Sequence, residues 1–356
     1  MKREIPFFDI TRQNVYLKEK LVAEISTLID SGKFILGENV KAFEGEMAQY
    51  CGKEYAVGVA NGSDALFLSL LAYDIKPGDE EITSPFTFYA TAGAILRTGA
   101  VPVFVDIDDT FNINTDLIEA KITDKTKAIM PVHLFGRMAD MEQVYDIANK
   151  YGLSVVEDAA QSCGGVNTAC LSFFPTKNLG CFGDGGMVVT DDQDVAEKIR
   201  LLRVHGAKHK YHHELPGINS RLDEIQAVIL RHKLPYLDGW IARRREIAQI
   251  YNSVLGLPDI DSVYNQYTIQ VNGRDELQTY LKEQGIGSAI YYPVPLHLQK
   301  VFKGKEGDFP EAERVCQRVL SLPIYPELTD KEVSHVAQSC SYWCGEMGQK
   351  PYKGVA

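Results

Sequence analysis

The stretch SFFPTKNLGCFGDGG, residues 172–186, sets one lysine, Lys177, between aromatic residues and a run of glycines. Most lysines are solvated surface charges. A lysine held in a dry site loses affinity for its proton, because burial disfavours the charged form, and becomes a nucleophilic amine able to form a Schiff base. Which of these Lys177 is depends on what the rest of the chain places around it.

Working outward, short β-rich runs alternate with helical ones. YAVGV (55–59) precedes SDALFLSLLAY, EITS precedes FYATAGAILRTG, and VPVFVD (101–106) and KAIMPV (127–132) precede DMEQVYDIANKYG. In that last segment Asp140 suits a helix cap and Gly152 a helix stop. LSVVE (153–157) and GMVVT (186–190) follow. Strands apolar on both faces that alternate with helices predict an α/β fold with a mostly parallel sheet covered on both sides. At the start, Leu17, Leu21, Ile25 and Leu28 share one face of a helix that ends at Gly32. From about residue 235 the pattern changes to RRREIAQIYNSVL, YTIQV and RDELQTYLKEQG, the texture of a smaller α+β domain. The expected division is a large cofactor-binding domain over 1–235 and a small domain over 236–356, with the N-terminal segment able to pack on the latter.

A sheet of this kind collects ligands at the carboxyl ends of its strands. Asp158, in LSVVEDAAQ, follows a buried strand and would bring a carboxylate to that edge, although such a residue also suits a helix cap. VANGSDAL (59–66) reads as strand, turn and helix start, and free N–H groups there with the Ser63 hydroxyl can hold a phosphate. Asp64 could add only its backbone N–H. Lysine, carboxylate and anion cup are together the parts of a pyridoxal-phosphate site, in which a carboxylate keeps the pyridine nitrogen protonated so that the ring withdraws electrons.

Composition sets the remaining bounds. The 356 residues suit two domains. A net charge of -11 argues against a general nucleic-acid binder. MKREIPFFDI turns polar too soon for a signal peptide, and no apolar run approaches the roughly 20 residues of a membrane span. The seven cysteines, 51, 163, 170, 181, 316, 340 and 344, are odd in number and scattered, which argues against a disulfide framework. Cys340 and Cys344 read as free thiols, and no metal site is expected. These features predict a cytoplasmic protein.

EDAAQ, SFFPTKNLGCFGDGG and NSRLDEIQA (219–227) closely resemble the DegT/DnrJ/EryC1/StrS family of nucleotide-sugar aminotransferases, and the likeness runs from IPFFDI to SLPIYPEL (321–328). It implies the pyridoxal-phosphate transferase fold of type I, with a seven-stranded sheet. It also implies that Lys177 carries the Schiff base, Asp158 holds the protonated pyridine nitrogen, and Gln161 hydrogen-bonds the ring hydroxyl. Gly62, Ser63, Asp64 and Ser172 would form the phosphate cup. Phe88 matches an aromatic that stacks on the ring, though core packing is its commoner role. Asn219 matches a residue lent to the partner's phosphate across a homodimer with shared sites. Arg221, Tyr291, Tyr292 and His297 fall at substrate-side positions, where surface or core roles compete. The basic HGAKHKYHH (205–213) could meet a diphosphate or form a solvated loop.

The activity implied is transfer of an amino group from L-glutamate, through pyridoxamine phosphate, to a nucleotide-linked keto sugar, in amino-sugar and polysaccharide biosynthesis. YHHELPGINSRLD favours a 3-keto over a 4-keto sugar, and UDP and dTDP stay open. The chain departs from the family in a short connection after Gln161, in short segments near 256–264 and 302–308, and in an end, CSYWCGEMGQKPYKGVA, unlike the usual final helix. The short loops motivate one alternative, a catalytically silent cofactor- or sugar-nucleotide-binding regulatory protein. A sugar dehydratase is a second, less favoured because such relatives carry histidine in place of the lysine.

Overall fold

The computed structural model describes residues 4–348 and 351. Helix α1 (Ile10–Ser31) starts where Asp9 accepts a hydrogen bond from Thr11 N–H and stops at Gly32, whose φ of 63° only glycine adopts readily. Its Leu17, Leu21 and Leu28 are buried on one face. Helix α2 (Glu38–Tyr50) follows, and the alternation of strand and helix then begins: β1 (Tyr55–Val59), α3 (Gly62–Ala72), β2 (Glu80–Thr83), α4 (Tyr89–Thr98), β3 (Val101–Phe104), β4 (Thr126–Ile129) and α5 (Met141–Tyr151). In α5 the Asp140 side chain accepts from Gln143 N–H, and Gly152 closes the helix in the left-handed region.

Next come β5 (Ser154–Val155) and β6 (Glu157–Asp158), two halves of one strand broken at Val156. The hydrogen bonds Val156 N–H to Ile129 O, Asp158 N–H to Pro131 O and His133 N–H to Asp158 O carry the pairing across the break. The strands β3, β2, β4 and β5 on one side, and β6, β7 (Ala169–Ser172), β8 (Gly186–Thr190) and β1 on the other, thereby form one sheet of seven strands. Its pairs are parallel except those of β8, which runs antiparallel to both β7 and β1. Helix α6 (Gln193–Leu202) and helix α3 share a core cluster with β1 and β8. Strands β9 (Ala207–His209) and β10 (His212–His213) make a small exposed hairpin from the basic segment.

Helix α7 (Glu224–Lys233) leads into α8 (Leu237–Leu255). Leu237, Trp240 and Ile241 of α8 pack into the core of the large sheet, whereas Ile247, Tyr251 and Leu255 belong to a second core. That second core is built on β11 (Tyr267–Gln270), α9 (Arg274–Glu283), β12 (Val319–Leu322) and α11 (Asp330–Glu346), and Ile5 near the N-terminus joins it. Between α9 and β12 lies α10 (Pro310–Cys316), whose Glu311 and Ala312 N–H groups donate to Asp106, two residues past the end of β3. The segment CSYWCGE, unlike a final helix by its sequence, is helical as part of α11; of the residues after it, 349–350 and 352–356 lie outside the described residues. All seven cysteines are free.

Candidate active site

Strands β1, β2, β4, β6 and β7 point the same way, so the residues after their carboxyl ends meet along one edge. The turn after β1 gives Asn61, Gly62 and Ser63. The segment after β2 gives Phe88, the one after β4 gives His133, β6 ends at Asp158, and β7 ends at Ser172. Because β8 returns antiparallel beside β7, the connection between them, residues 173–185, is a tight loop on that same edge, and it carries Lys177. The structure thus brings together lysine, carboxylate and anion cup from stretches more than a hundred residues apart.

Lys177 is half-buried as a residue, and desolvation of its amine lowers its pKa to about 8 against the opposing charges of Asp158 and Cys163. Such an amine exchanges protons near neutral pH. With Gln161 and Ser172 it lines a narrow cleft beside Ala159 and Leu179. Asp158 is 6 % exposed, and burial pushes its carboxyl up. Its Oδ2 accepts from Thr91 Oγ1 at 2.7 Å and its Oδ1 from Ala160 N–H at 3.2 Å, which act the other way. A desolvated carboxylate gains most from a cation brought to it, and the protonated ring nitrogen of pyridoxal phosphate is such a cation.

The cup fits a phosphate for a steric reason. A Cβ on Gly62 would lie 2.8 Å from Ser172 Cβ, and one on Gly186 would lie 2.3 Å from the Asn61 carbonyl carbon. Only glycines let the start of α3 come this close to the ends of β7 and β8. The Asn61 side chain caps α3 by accepting from Asp64 N–H at 2.8 Å, and leaves the N–H groups of Gly62 and Ser63 for an anion. That removes Asp64 from the cup: its N–H is committed to Asn61, and its carboxylate accepts from Arg97 at 2.9 Å.

The other residues divide. Gln161 Oε1 accepts from Phe135 N–H, which directs its amide NH₂ away from that backbone. Phe88 is 59 % exposed, so it is not a core aromatic, and its ring lies 6.4 Å from that of Tyr292. Tyr292 in turn meets Tyr291, and burial together with the Asp158 charge raises its hydroxyl pKa. Asn219 is exposed and Arg221 half-buried, on either side of the buried Ser220, whose Oγ accepts from Ala60 N–H. His297 does not join them. It is 1 % exposed, with Nε2 3.0 Å from Glu313 and its ring against Phe309, a core histidine rather than a substrate contact.

Two groups absent from the sequence expectations support Asp158. Thr91 reaches it from α4. Behind it, His133 and Glu157 form a fully buried pair 2.9 Å apart. His133 Nδ1 accepts from Ala139 N–H, so Nε2 carries the proton and donates to Glu157. Burial raises the Glu157 pKa, but His133, the Val166 N–H and Tyr145 together hold it below the ordinary value. Glu157 could have been noticed as the neighbour of Asp158. Its partners, 12 and 24 residues away, follow only from the strand order. Among the described residues no group of His, Cys, Asp and Glu is placed to hold a metal, and no helix is long and apolar enough to cross a membrane.

Comparison with known proteins agrees with this geometry. The family model described as the DegT/DnrJ/EryC1/StrS aminotransferase family matches residues 15–341. A pleiotropic regulatory protein of Geobacillus stearothermophilus is 48% identical over 94% of this chain and 97% of its own. A UDP-N-acetyl-3-dehydro-alpha-D-glucosamine 3-aminotransferase of Acidithiobacillus ferrooxidans is 46% identical over 94% of this chain and 96% of its own. The crystal structure of S. venezuelae DesV in complex with a ketimine intermediate superposes with a TM-score of 0.93 at 41% identity, covering 96% of this chain and 98% of that one.

Proposed function

The chain belongs to the DegT/DnrJ/EryC1/StrS aminotransferase family and is a pyridoxal-phosphate-dependent aminotransferase, and we propose that it moves an amino group from L-glutamate to the ketone of a nucleotide-linked 3-keto sugar. The observation that carries this reading is the desolvated Lys177 beside Asp158 and the Gly62–Ser63–Ser172 cup on one sheet edge. When bound, pyridoxal phosphate supplies an aldehyde that accepts amino groups and a protonated ring that draws electrons from the bond being broken.

The chain's own residues do the rest. The cup and α3 hold the phosphate, Asp158 holds the charge on the ring nitrogen, and Thr91 holds Asp158 in place. Gln161 donates to the ring hydroxyl, and Phe88 covers the ring. Lys177, with its lowered pKa, would take the proton from the donor's α-carbon as general base and deliver it, as general acid, to the carbon that had been the aldehyde. The nucleotide end of the sugar adds binding energy remote from the reacting carbon, through Tyr291, Tyr292 and Arg221. Asn219, exposed beside the hairpin, reaches the phosphate of a second subunit in a homodimer. The product serves polysaccharide or other glycoconjugate biosynthesis in the cytoplasm.

The test is the visible absorbance of the purified protein with pyridoxal phosphate, before and after L-glutamate, beside Lys177→Ala. A band that glutamate bleaches, and that the variant lacks, supports the reading; a panel of UDP- and dTDP-linked 3-keto and 4-keto sugars then fixes the acceptor. Absence of the band sinks it. A second reading, a silent regulatory protein, is favoured by the name of the Geobacillus relative. It predicts a band that no amino donor bleaches.

A further inference from the structure

Lys233 is fully buried at the last turn of α7, yet the chemistry above does not use it. Its Nζ donates to Gly180 O at 2.7 Å and lies 4.6 Å from the centre of the Phe182 ring. These partners are a carbonyl and an aromatic face, not a carboxylate. Burial lowers its pKa to about 8, opposed by Cys181 and Glu327. A lysine is a costly way to fill space that methionine would fill without desolvation, so its use has to come from what it holds.

It holds the loop of Lys177. Seven residues earlier, two turns along the same face of α7, Gln226 grips that loop a second time. Its Oε1 accepts from Phe182 N–H at 2.9 Å, and its Nε2 donates to Phe182 O at 3.3 Å. The loop is already tight: Lys177 N–H donates to Phe174 O and Cys181 N–H to Phe173 O, both at 2.8 Å. A Cβ at Gly180 would sit 2.5 Å from Pro175 O. Asn178, next to the lysine, donates to Val263 O at 2.9 Å. The segment that aims Lys177 is therefore pinned through backbone atoms of Gly180 and Phe182 to two side chains of one helix.

We propose that Gln226 and Lys233 are positioning residues for Lys177, with α7 serving as the rack that fixes the direction of its amine; this rests on Lys177 being the reactive lysine of an aminotransferase. Loosening either grip leaves the cofactor pocket in place but lets the amine wander from the reacting carbon, a loss of alignment rather than of binding.

Three variants test this: Lys233→Met, Lys233→Arg and Gln226→Leu. The first readout is hydrogen–deuterium exchange in protein stripped of cofactor. Amides over 177–183 should exchange about tenfold faster in the Met and Leu variants, with β8 unchanged and the Arg variant closer to wild type. The second is the pH midpoint of the absorbance band that forms with pyridoxal phosphate, which should move by roughly half a pH unit or more. Folded variants with wild-type exchange and midpoint overturn the proposal and leave Lys233 a packing residue. Should Lys233→Met fail to fold, Gln226→Leu, at a half-buried position, decides the matter alone. A wild type that forms no band would sink the aminotransferase reading, while the exchange data would still judge the rack.

Discussion

Asp158 shows how one side chain's task depends on a residue that no local pattern reveals. Its carboxyl is raised by burial, and the hydrogen bond from Thr91 is the largest influence opposing that rise. Thr91 also pairs with Thr87 through their hydroxyls at 2.9 Å, so its orientation is set from below. Thr91→Val keeps the shape and removes the donor. A hydrogen bond to a charged group contributes about 1.5–3 kcal/mol, so kcat should fall by roughly ten- to a hundredfold with the glutamate KM little changed, and the thermal midpoint should drop by only a few degrees. Steady-state kinetics beside a melting curve checks this; an unchanged kcat would mean that Asp158 does not depend on Thr91. The sequence points to Asp158 because a buried strand ending in Glu-Asp is a local signal. It cannot point to Thr91, 67 residues earlier, because that contact exists only once α4 lies over the edge of the sheet.

At the level of elements, the parts readable in advance are those whose cause is local. The Asp140 cap, the Gly152 and Gly32 stops and the strands at 55–59 and 186–190 each follow from residues within one turn or one period of the pattern. The start of α3 is legible as a helix beginning but not as a cap that uses up Asp64 N–H, since either Asn61 or Ser63 suits the capping place. What makes it a cup is a clearance between elements: α3 meets β7 and β8 across two glycines. Gly62→Ala would force about 0.6 Å or more of movement between α3 and Ser172, at a position where α geometry itself tolerates alanine. Overpacking of this kind costs about 1–3 kcal/mol. Pyridoxal-phosphate affinity should therefore drop by roughly ten- to a hundredfold, read by titrating the absorbance band, while circular dichroism stays native. Wild-type affinity in Gly62→Ala would show that the phosphate does not sit on α3.

For the molecule as a whole, the central strands carry a feature that composition hides. Glu81 lies in β2 between β3 and β4, fully buried, with both carboxylate oxygens unpaired. Burial, helped by the charge of Asp79, raises its pKa from 4.5 to about 8. EITS reads as strand from its apolar and β-branched residues, and nothing in it tells that the glutamate faces inward, because parallel strands covered on both faces leave no polar side. The folded state thus binds a proton that the unfolded chain has released between pH 4.5 and 8. In that window the unfolded state holds fewer protons, so stability falls as pH rises, the opposite of a paired carboxylate. A one-proton difference between the two states changes stability by about 1.4 kcal/mol for each pH unit crossed. The loss from this residue is therefore on the order of a few kcal/mol across the window. Glu81→Gln removes the titration while keeping the shape. Denaturant unfolding of the cofactor-free protein at pH 5 and pH 8 should show the wild type losing more stability than the variant over that interval. Equal losses in both would mean that Glu81 is ionised in the folded core and stabilised by a group not now facing it.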